Sequence, residues 1–426
     1  MNLKFLSIFL IILSFSYAQQ LKWIYTYNGT KDSADLATKI VHGDDGNLYI
    51  GGISSNIVYN TDITVISLDT LGNQRWIYIY NYPGKDYLND MIYIGGKIYL
   101  TGSLESEGIL ITICLNSNGA VKWIYTYDTQ GMDAGNSIIY GVDGNLYIAG
   151  KGFSPQSNYS PRFMVISLDT MGNERWIKIY PDTSVYYPGI ANYLTHDGNG
   201  NIYVSGYVSY SGSTRLVVIS FDNLGNQKWI YEYSAPSGGS TRGNKVLYKE
   251  ENIYLIGTCG SGGLVTSLDI DGHENWMYFY QGANTQSNTS DFLDIVFGLD
   301  GNLYVGGTTG YAPWNSGWIT MSLASTGIWR WSYFRTVVGN CSKLIYNENG
   351  IIYALGRETP PPHLVIRSFS SINGQENWAY HYTGTTQNIG KDMVLNSNKL
   401  YIAGSQGILN TQDMLVICLE ITQNEK

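Results

Sequence analysis

The chain has 426 residues, with 25 Lys and Arg against 34 Asp and Glu and a formal net charge of −9. Hydrophobic residues make up 44% of it and charged residues only 14%, which excludes a disordered chain, because disorder requires low hydrophobicity and a high density of charge. The acidic balance argues against a nucleic-acid-binding protein, which needs a basic surface to neutralise phosphates. The four Cys are too few for a small fold held together by disulfides.

Residues 1–18 have the pattern of a secretory signal peptide. Lys4 supplies a positive charge, residues 5–17 form an almost unbroken apolar run, and Ser16 and Ala18 are the small residues expected before a cut after Ala18. The run is shorter than the ~20 apolar residues of a transmembrane helix, although an uncleaved anchor is the alternative. No Cys lies near the cut, so a lipid anchor is not expected. We expect an exported protein, periplasmic, cell-surface or extracellular, whose mature part is residues 19–426.

Two signatures recur along residues 19–426. The first is a strand preceded by Gly-Asn or a variant, as in Gly46–Ile50, whose Tyr recurs at intervals of 48 to 56 residues. Its copies are Tyr49, Tyr99, Tyr147, Tyr203, Tyr254, Tyr304, Tyr353 and Tyr401. The second is a Trp after a turn, as in Asp69–Trp76, which recurs at intervals of 47 to 55 residues. Its copies are Trp23, Trp76, Trp123, Trp176, Trp229, Trp276, Trp331 and Trp378. A period of roughly 50 residues indicates the blades of a propeller or the units of a solenoid.

Each repeat has the pattern of four short strands. In residues 36–80, the segments Leu36–His42, Leu48–Gly52, Ile63–Leu68 and Arg75–Tyr80 are rich in Val, Ile, Tyr and Trp, which favour strands. Gly-Asn turns separate the first two segments and the last two. No window of helical period and length occurs in residues 19–426. Four strands per repeat of this length are typical of a propeller blade.

The two ends of the chain complement each other. Leu21–Tyr27 is a Trp strand that precedes any Gly-Asn strand, whereas the last repeat has a third strand, Met414–Leu419, but no Trp strand after it. If these two segments pair, the N-terminal strand completes the last blade and no blade edge is left unpaired. We therefore predict an all-β, single-domain, eight-bladed β-propeller of four-stranded antiparallel blades, closed by the N-terminal strand. The alternative is an open β-solenoid, which usually has atypical capping repeats.

The repeat resembles a bacterial β-propeller repeat known as SBBP. The stretch Ile63–Trp76, followed by Gly84, Asp86 and Gly96–Gly102, is similar to that family's order of an apolar strand, Asp-x-x-Gly, Trp, a Gly/Asp loop and a Gly-Asn-x-Tyr-Val-x-Gly strand. The resemblance covers the whole of residues 19–426. It implies a propeller in an exported protein but no activity, because the family consists mostly of secreted proteins with no known reaction.

The Asp-x-x-Gly turn and its Trp also resemble the tryptophan-docking motif of quinoprotein (PQQ-like) propellers, which have eight blades. In that superfamily the Trp braces adjacent blades, so the resemblance implies the same structural role for the eight Trp. The copies at Asn116, Ala324 and Ser370 depart from the motif by lacking the Asp. The resembling enzymes hold their quinone with adjacent Cys and a calcium ion, but Cys114, Cys259, Cys341 and Cys418 are not adjacent in sequence. We therefore expect no cofactor, and we interpret Cys114 and Cys418, which share a repeat position, as small packing residues.

Other candidate chemistry has a simpler structural interpretation. Asp197–Asn201 places oxygen ligands at alternate positions, as calcium loops do, but lacks their closing Glu. Because the same turn recurs in other repeats, a structural turn is the preferred interpretation. None of the five His lies in a recognised catalytic arrangement. The loops between repeats carry acids, and there are two interpretations of them. One is a ring of negative charge that binds a cation. The other, which we favour, is that the loops are solvated and that one Asp of each repeat has a structural role. These acids are Asp32, Asp35, Asp86, Asp90, Asp133, Asp182, Asp291, Asp294 and Asp392.

An aromatic loop is the best candidate for ligand contact. Tyr311, Trp314 and Trp318 lie between the second and third strands of the sixth repeat, and Trp314 is extra to the repeat pattern. Exposed aromatic faces stack on sugar rings, so these three residues are predicted to contact a carbohydrate; the alternative is that they pack on the neighbouring blade.

Taken together, the sequence predicts a non-catalytic, exported scaffold that binds a partner protein or polysaccharide through its loops. One alternative is an enzyme of the PQQ-like superfamily acting on alcohols or sugars, which a clustered pair of carboxylates in the central channel would favour. Another is an envelope-assembly factor resembling the eight-bladed outer-membrane assembly lipoprotein, against which the missing lipid-anchor Cys counts.

Overall fold

The computed structural model describes residues 15–30, 33–57, 60–153, 160–181, 187–210, 212–236, 238–282, 290–312, 315–360, 362–384 and 387–425. Within these ranges the regular elements are β-strands, as the repeat pattern predicts, and there is no α-helix. A helix long and apolar enough to cross a membrane is accordingly not found in this part of the chain.

The strands of the described ranges form six antiparallel sheets of four strands and one of seven. The first sheet contains β2 (Leu36–His42), β3 (Leu48–Ile57), β4 (Asn60–Leu68) and β5 (Gln74–Tyr80). The second contains β6 (Asp86–Ile94), β7 (Lys97–Leu104), β8 (Ile109–Asn116) and β9 (Val121–Tyr127). The third contains β10 (Ala134–Tyr140), β11 (Leu146–Gly152), β12 (Arg162–Leu168) and β13 (Glu174–Tyr180). The fourth contains β14 (Gly189–His196), β15 (Ile202–Tyr210), β16 (Ser213–Phe221) and β17 (Gln227–Tyr233). The fifth contains β18 (Thr241–Lys249), β19 (Asn252–Cys259), β20 (Gly262–Asp269) and β21 (Glu274–Tyr280).

The seven-stranded sheet joins two consecutive repeats through one shared strand. It contains β22 (Asp291–Phe297), β23 (Asn302–Ala312), β24 (Asn315–Ala324), β25 (Trp329–Tyr346), β26 (Ile351–Thr359), β27 (His363–Ser370) and β28 (Glu376–Tyr382). The first half of β25 pairs with β24 and its second half, from Val338, pairs with β26. One strand of 18 residues therefore serves as the last strand of one repeat and the first strand of the next.

The last sheet brings together both ends of the chain. It contains β1 (Phe15–Tyr27), β29 (Gln387–Asn396), β30 (Lys399–Ile408) and β31 (Thr411–Glu425), in the order β1-β31-β30-β29. β1 pairs antiparallel with β31, from Phe15 opposite Glu425 to Tyr27 opposite Met414. Residues 1–14 of the predicted signal peptide lie outside the described ranges, and its cleavage after Ala18 stays a prediction.

The first strands of the repeats contact one another in order around the inside of the assembly. β2 contacts β6, and the series continues through β10, β14, β18, β22, β25 and β29, which in turn contacts β2. Among the described residues, eight clusters of buried apolar side chains lie between neighbouring repeats. One of them joins Ile50 and Leu68 of the first sheet to Ala403 and Val416 of the last. The core is thus distributed between sheets rather than gathered at one centre.

The two sequence signatures meet in each repeat. The repeated Tyr of the second strand and the repeated Trp of the fourth strand flank a small residue of the third, as Tyr49 and Trp76 flank Ser67. In all eight repeats the Tyr and Trp ring centroids lie 5.8–6.2 Å apart. The eight Tyr are fully buried, at 0–1% exposure. The residue between them is Ser in six repeats and Cys in two, because a larger side chain there would separate the rings.

Each Trp also contacts a turn of the next repeat. The indole Nε1 of seven Trp donates to a backbone carbonyl of that turn at 2.8–3.2 Å. The turn's Gly lies against the indole at a φ of +71° to +87°, and a Cβ there would come within 2.4–2.8 Å of ring atoms. The seven Gly are Gly72, Gly119, Gly172, Gly225, Gly272, Gly327 and Gly374. Only Gly combines this backbone conformation with so close an approach.

Trp378 is the exception among the eight. Its Nε1 is buried without a hydrogen-bond partner in the structure. The sheet that follows it is the last one, in which β31 and β1 are the two ends of the chain and are not joined by a turn. Among the described residues, no carbonyl accepts from Trp378 Nε1 and no Gly lies against its indole.

The exception provides a matched test of the Trp–turn contact. We expect Trp229→Phe to lower the free energy of unfolding by about 1–1.5 kcal/mol more than Trp378→Phe, because only Trp229 loses a hydrogen bond, to the Ile270 carbonyl at 2.8 Å. Urea denaturation of the two variants beside the unsubstituted protein measures the difference. Equal losses would show that packing alone, without the hydrogen bond, gives the contact its stability.

Candidate functional site

The turns that join the first to the second strand and the third to the fourth strand of a repeat emerge at one end of the sheets. We call this end the turn face. Its most regular turn is Asp69–Asn73, in which the Asp69 carboxylate accepts the backbone N–H groups of Leu71 and Asn73 at 2.9 and 2.8 Å. Partial burial opposes ionisation, but these bonds and one from the Asn73 side chain outweigh it and hold the pKa of Asp69 below its usual value. The same arrangement recurs at Asp169, Asp222 and Asp269, so the face carries ionised carboxylates at neutral pH.

The turns that lack this Asp keep the contact with Trp. Asn116 Oδ1 accepts the Ala120 N–H at 2.9 Å, and Ser370 Oγ accepts the Ile372 N–H at 3.3 Å. Ala324 offers no side-chain acceptor, yet Gly327 still lies against the indole of Trp276. The departures from the motif change the hydrogen bonds within a turn and leave the docking intact.

Large aliphatic side chains project from the tips of these turns. Leu71, Met171 and Leu224 each precede the turn Gly and are 70%, 71% and 67% exposed, and Ile372 in the corresponding turn of the seventh repeat is 80% exposed. Val142, Leu299 and Ile328 are exposed in neighbouring turns of the same face. Apolar tips interleaved with carboxylates therefore form a broad surface on which no described part of the chain packs.

The Asp197–Asn201 segment is a structural turn of the same face. Asp197 accepts hydrogen bonds from the backbone N–H groups of Asn199 and Asn201 at 2.8 and 2.9 Å. It also accepts the Asn201 side-chain amide and the Tyr203 hydroxyl. Burial opposes ionisation, but these donors outweigh it and lower the pKa of Asp197. All of its acceptor sites are used within the turn, which favours the turn interpretation over calcium.

Replacing Asp197 separates these interpretations. We expect Asp197→Ala to lower the free energy of unfolding at pH 7 by about 2–4 kcal/mol, because the buried Asp197 carboxylate accepts four hydrogen bonds whose donors lose their acceptor. Since the folded-state pKa is depressed, this stabilisation is present above the unfolded pKa of about 4 and is lost as the pH falls through the folded value. Denaturation curves at several pH values, with and without calcium, measure it. A loss that appeared only in the presence of calcium would instead support a metal-binding loop.

The structure corrects the prediction for Trp318. This side chain is fully buried, and its Nε1 donates to Thr320 Oγ1 at 2.9 Å, so it has no face available for a sugar. It packs in the cluster between the sixth and seventh repeats, where Gly356 leaves room for it and the Arg367 guanidinium lies 5.5 Å from its ring. Trp314 and the side chain of Tyr311 lie outside the described residues, and their contact with a ligand stays a prediction.

Apart from Asp291, which accepts the Asn244 side-chain amide, the described acids of the loops between repeats fall into two structural sets. Asp35 accepts the N–H groups of Gly29 and Ser55 at 2.6 and 3.1 Å, and Asp133 braces its own loop in the same way through Thr129 and Phe153. This is the repeated structural Asp that the sequence favours. Asp86 occupies the corresponding position in the second sheet, but burial, and then the charge of Asp62, raises its pKa to about 7. Asp32 and Asp182 lie outside the described residues.

The second set belongs to a ring of side chains on the first strands of the repeats, which we call the channel belt. Each first strand contains a β-bulge, and the belt residue is the one at which the register resumes. The belt consists, in order, of Lys39, Asp90, Ser137, Tyr193, Lys245, Asp294, Lys343 and Asp392. When these eight residues are numbered in this order, Lys occupies three of the four odd-numbered positions and Asp occupies three of the four even-numbered positions. The exceptions, Ser137 and Tyr193, are neighbours, so one ion pair is replaced by a neutral pair and the belt stays charge-balanced.

Contacts in the belt run from each repeat to the next. Lys39 pairs with Asp90 at 3.0 Å and Lys343 with Asp392 at 2.8 Å, and Lys245 pairs with Asp294. Each Asp then accepts the backbone N–H of the following repeat, as Asp90 does from Ile138 at 3.0 Å. Asp392 raises the pKa of Lys343 above its ordinary value. Because Lys separates the three Asp, the belt contains no clustered pair of carboxylates of the kind that would favour an enzyme.

The belt residues were not found from the sequence as a set. The available signal was a residue three or four places before the end of each first strand, but its identity alternates between Lys and Asp and becomes Ser in one repeat and Tyr in the next. A search for a repeated residue type misses such a pattern, and the bulge hides its register.

Removing one charge from the belt tests its role. We expect Lys245→Met to lower the free energy of unfolding by about 3–5 kcal/mol, because Asp294, which is 3% exposed, is left buried without its partner. Lys245→Met combined with Asp294→Asn should regain more than half of that loss, since Asn removes the charge and keeps an acceptor for the Leu344 N–H. Chemical denaturation of both variants measures this. A double variant no more stable than the single one would argue against charge balance as the constraint.

The remaining candidates for chemistry are buried or apolar. All four Cys are buried, and burial raises the pKa of the Cys114 thiol to about 11, so it is not a thiolate at neutral pH. In the part of the chain described, no three His, Cys, Asp or Glu side chains come together to hold a metal ion. A cavity of 440 Å³ between the fourth and fifth sheets is lined by Tyr233, Ala235, Cys259 and Phe279 among others, and its described lining includes no carboxylate or His.

Comparison with solved structures shows a β-propeller. The chain resembles Sqt1 of Chaetomium thermophilum, determined in a complex with the N-terminus of the ribosomal protein L10, with a TM-score of 0.60 and 12% identity over 93% of this chain and 99% of that one. It resembles the Dos1 propeller with a TM-score of 0.55 and 9% identity over 94% of this chain and 95% of that one. At such identity the likeness shows the fold alone. No family model matches the chain, and no curated protein matches it.

Proposed function

We propose that this protein is a non-catalytic β-propeller scaffold that is exported and binds a partner protein through its turn face. The observation that carries the proposal is the set of exposed aliphatic tips on one face, Leu71, Met171, Leu224 and Ile372, together with ionised turn carboxylates. A surface of this composition favours a partner segment that offers apolar side chains together with Lys or Arg.

A protein fits this face better than a polysaccharide does. Sugar rings are bound by flat aromatic faces, whereas the exposed tips of this surface are mainly Leu, Met and Ile, with Trp329 as an exposed aromatic side chain next to Ile328. The structural neighbours supply a parallel, since Sqt1 was determined with a segment of a protein partner. The signal-peptide pattern and the resemblance to the SBBP repeat support export. We include in the same proposal a relationship of this chain to the SBBP repeat and to the quinoprotein propellers.

The proposal includes eight blades in a closed ring. β25 divides at Val338 into strands of two blades, which separates the seven-stranded sheet into two units. β1 pairs with β31, which supports the expectation that the N-terminal strand supplies the fourth strand of the last blade. Eight Tyr–Trp pairs, one in each repeat, support the count.

Substitution of the tips tests the binding face. We expect Leu71→Ser, Met171→Ser and Leu224→Ser, introduced together, to reduce capture of the partner from the extracytoplasmic fraction of the source cells at least about tenfold, since apolar anchors carry most of the energy of such interfaces. Affinity for the captured protein should also fall as salt rises, because the turn carboxylates are exposed. Pull-down followed by titration of the identified partner measures both effects.

A matched control lies at the opposite end of the sheets. Met132, Ile408 and Leu409 are 58%, 64% and 62% exposed there, and their replacement by Ser removes a similar apolar area. This variant should bind as the unsubstituted protein does. Equal loss in both variants, or binding only to an oligosaccharide panel, would contradict the turn face as the site.

A further inference from the structure

One fourth strand differs from the other seven at a single repeat position. Two places after the repeated Trp, seven repeats have Tyr, whereas β13 of the third sheet has Lys178. Each of the seven Tyr packs against the apolar cluster between its own sheet and the next one. They are Tyr25, Tyr78, Tyr125, Tyr231, Tyr278, Tyr333 and Tyr380. The cluster between the third and fourth sheets therefore lacks one aromatic ring.

A groove of 870 Å³ lies around Lys178, between the third and fourth sheets. Its lining includes Phe163, Tyr180 and Phe221, so its walls are largely aromatic. The aliphatic stem of Lys178 lies beside the turn of the fourth sheet, since a Cβ added at Gly225 would come within 3.0 Å of Lys178 Cε. The volume falls within the range of about 300–1,000 Å³ that is usual for ligand sites.

The Lys178 ammonium has no hydrogen bond or ion pair with any residue that the structure describes. The carboxylates that adjoin the groove already have partners. Asp222 accepts two backbone N–H groups of its own turn at 2.9 and 2.8 Å. Glu232 accepts the Tyr180 hydroxyl at 2.9 Å and pairs with Arg215 at 3.3 Å. A half-buried cation is thus left available to a ligand from outside the chain.

Gln227 is a second polar group available at the groove. In four other repeats the Tyr hydroxyl donates to the side chain two places before the next Trp, as Tyr125 does to Glu174 at 2.8 Å. Gln227 holds that place in the fourth sheet, and it lines the groove together with Lys178. Its exposed side-chain amide has no bond to another described residue. An ammonium and an amide N–H group together suit a carboxylate.

The groove also reaches a strand edge. β13 is the last strand in the order β10-β11-β12-β13, so no described strand pairs with its outer N–H and C=O groups. The lining of the groove includes Ile177 and Ile179 from one side of β13 and Lys178 and Tyr180 from the other. An extended peptide can therefore add to this edge and place alternate side chains on the two sides of it.

We propose that the third sheet binds an extended segment of a partner protein along β13, with an acidic side chain at Lys178 and an aromatic side chain two residues away. Side chains two residues apart in a strand lie on the same side, so both enter the groove between the third and fourth sheets. The carboxylate binds the Lys178 ammonium and the Gln227 amide, and the ring occupies the space that Tyr fills in the other repeats. This acidic segment differs from the basic one expected at the turn face, so the inference does not depend on the proposed function.

Labelled peptides test the groove on the purified full chain without any turn-face partner. The heptapeptide acetyl-Thr-Phe-Thr-Glu-Thr-Phe-Thr-amide matches the seven residues of β13 and places Glu and both Phe on one side. We expect fluorescence anisotropy to show binding that weakens at least about fivefold when Gln replaces Glu, because the charge pairing is lost. A similar loss is expected when both Phe are moved next to Glu, since they then point to the opposite side.

Three Lys variants complete the experiment. Lys178→Met should bind the Glu and Gln peptides equally weakly. Lys178→Tyr, which restores the residue of the other repeats, should abolish binding and raise the thermal midpoint, because the ring fills the groove. Lys228→Met is the matched control and should bind as the unsubstituted protein does, because its ammonium lies away from the groove, 2.9 Å from Asn201 Oδ1.

Two outcomes would overturn the proposal. One is that the unsubstituted protein binds none of the peptides, or binds the Gln and Glu peptides equally well, which would leave Lys178 as a residue that only keeps the edge of β13 soluble. The other is binding that survives Lys178→Tyr, which would place the peptide elsewhere on the surface.

Discussion

The contact between a Trp of one repeat and a Gly turn of the next is the interaction on which the rest of this structure depends. A four-stranded sheet of this size cannot bury both of its faces alone, and the indole links it to its neighbour through packing and one hydrogen bond at once. The Gly at positive φ permits the approach, the Asp holds the turn that carries the Gly, and the repeated Tyr packs against the same indole. Each element of the repeated motif therefore has a physical role in the same contact.

The channel belt solves a different problem on the inside of the assembly. The first strands converge there, and their bulges leave side chains close together from repeat to repeat. Alternating Lys and Asp allow these side chains to be buried in pairs, and each Asp also satisfies a backbone N–H of the next repeat. Where the alternation fails, at Ser137 and Tyr193, both charges of one pair are missing together. The Lys245 ammonium lies 5.2 Å from the Tyr193 ring, so an aromatic face takes the place of the carboxylate.

The sequence was sufficient for features that repeat with the same residue type and insufficient for those that do not. The Tyr and Trp strands, the turns and the small residues at Cys114 and Cys418 follow from local pattern and period, because each copy has the same chemistry. The belt was missed because opposite charges occupy equivalent places. Trp318 was predicted to be exposed because it follows a loop, but its burial depends on Gly356 of the next repeat, which no local pattern reveals.

The pairing of β1 with β31 links the order of synthesis to the completion of the fold. Lys22 and Glu420 form an ion pair at 2.8 Å although 398 residues separate them in the chain. β1 can find its place only after β31 has emerged, and loop closure over so long a chain slows that step. Until then the two neighbouring sheets hold an open apolar gap. A chain that crosses a membrane in extended form would meet the same delay on the far side, where β1 needs protection from foreign strand edges until β31 arrives.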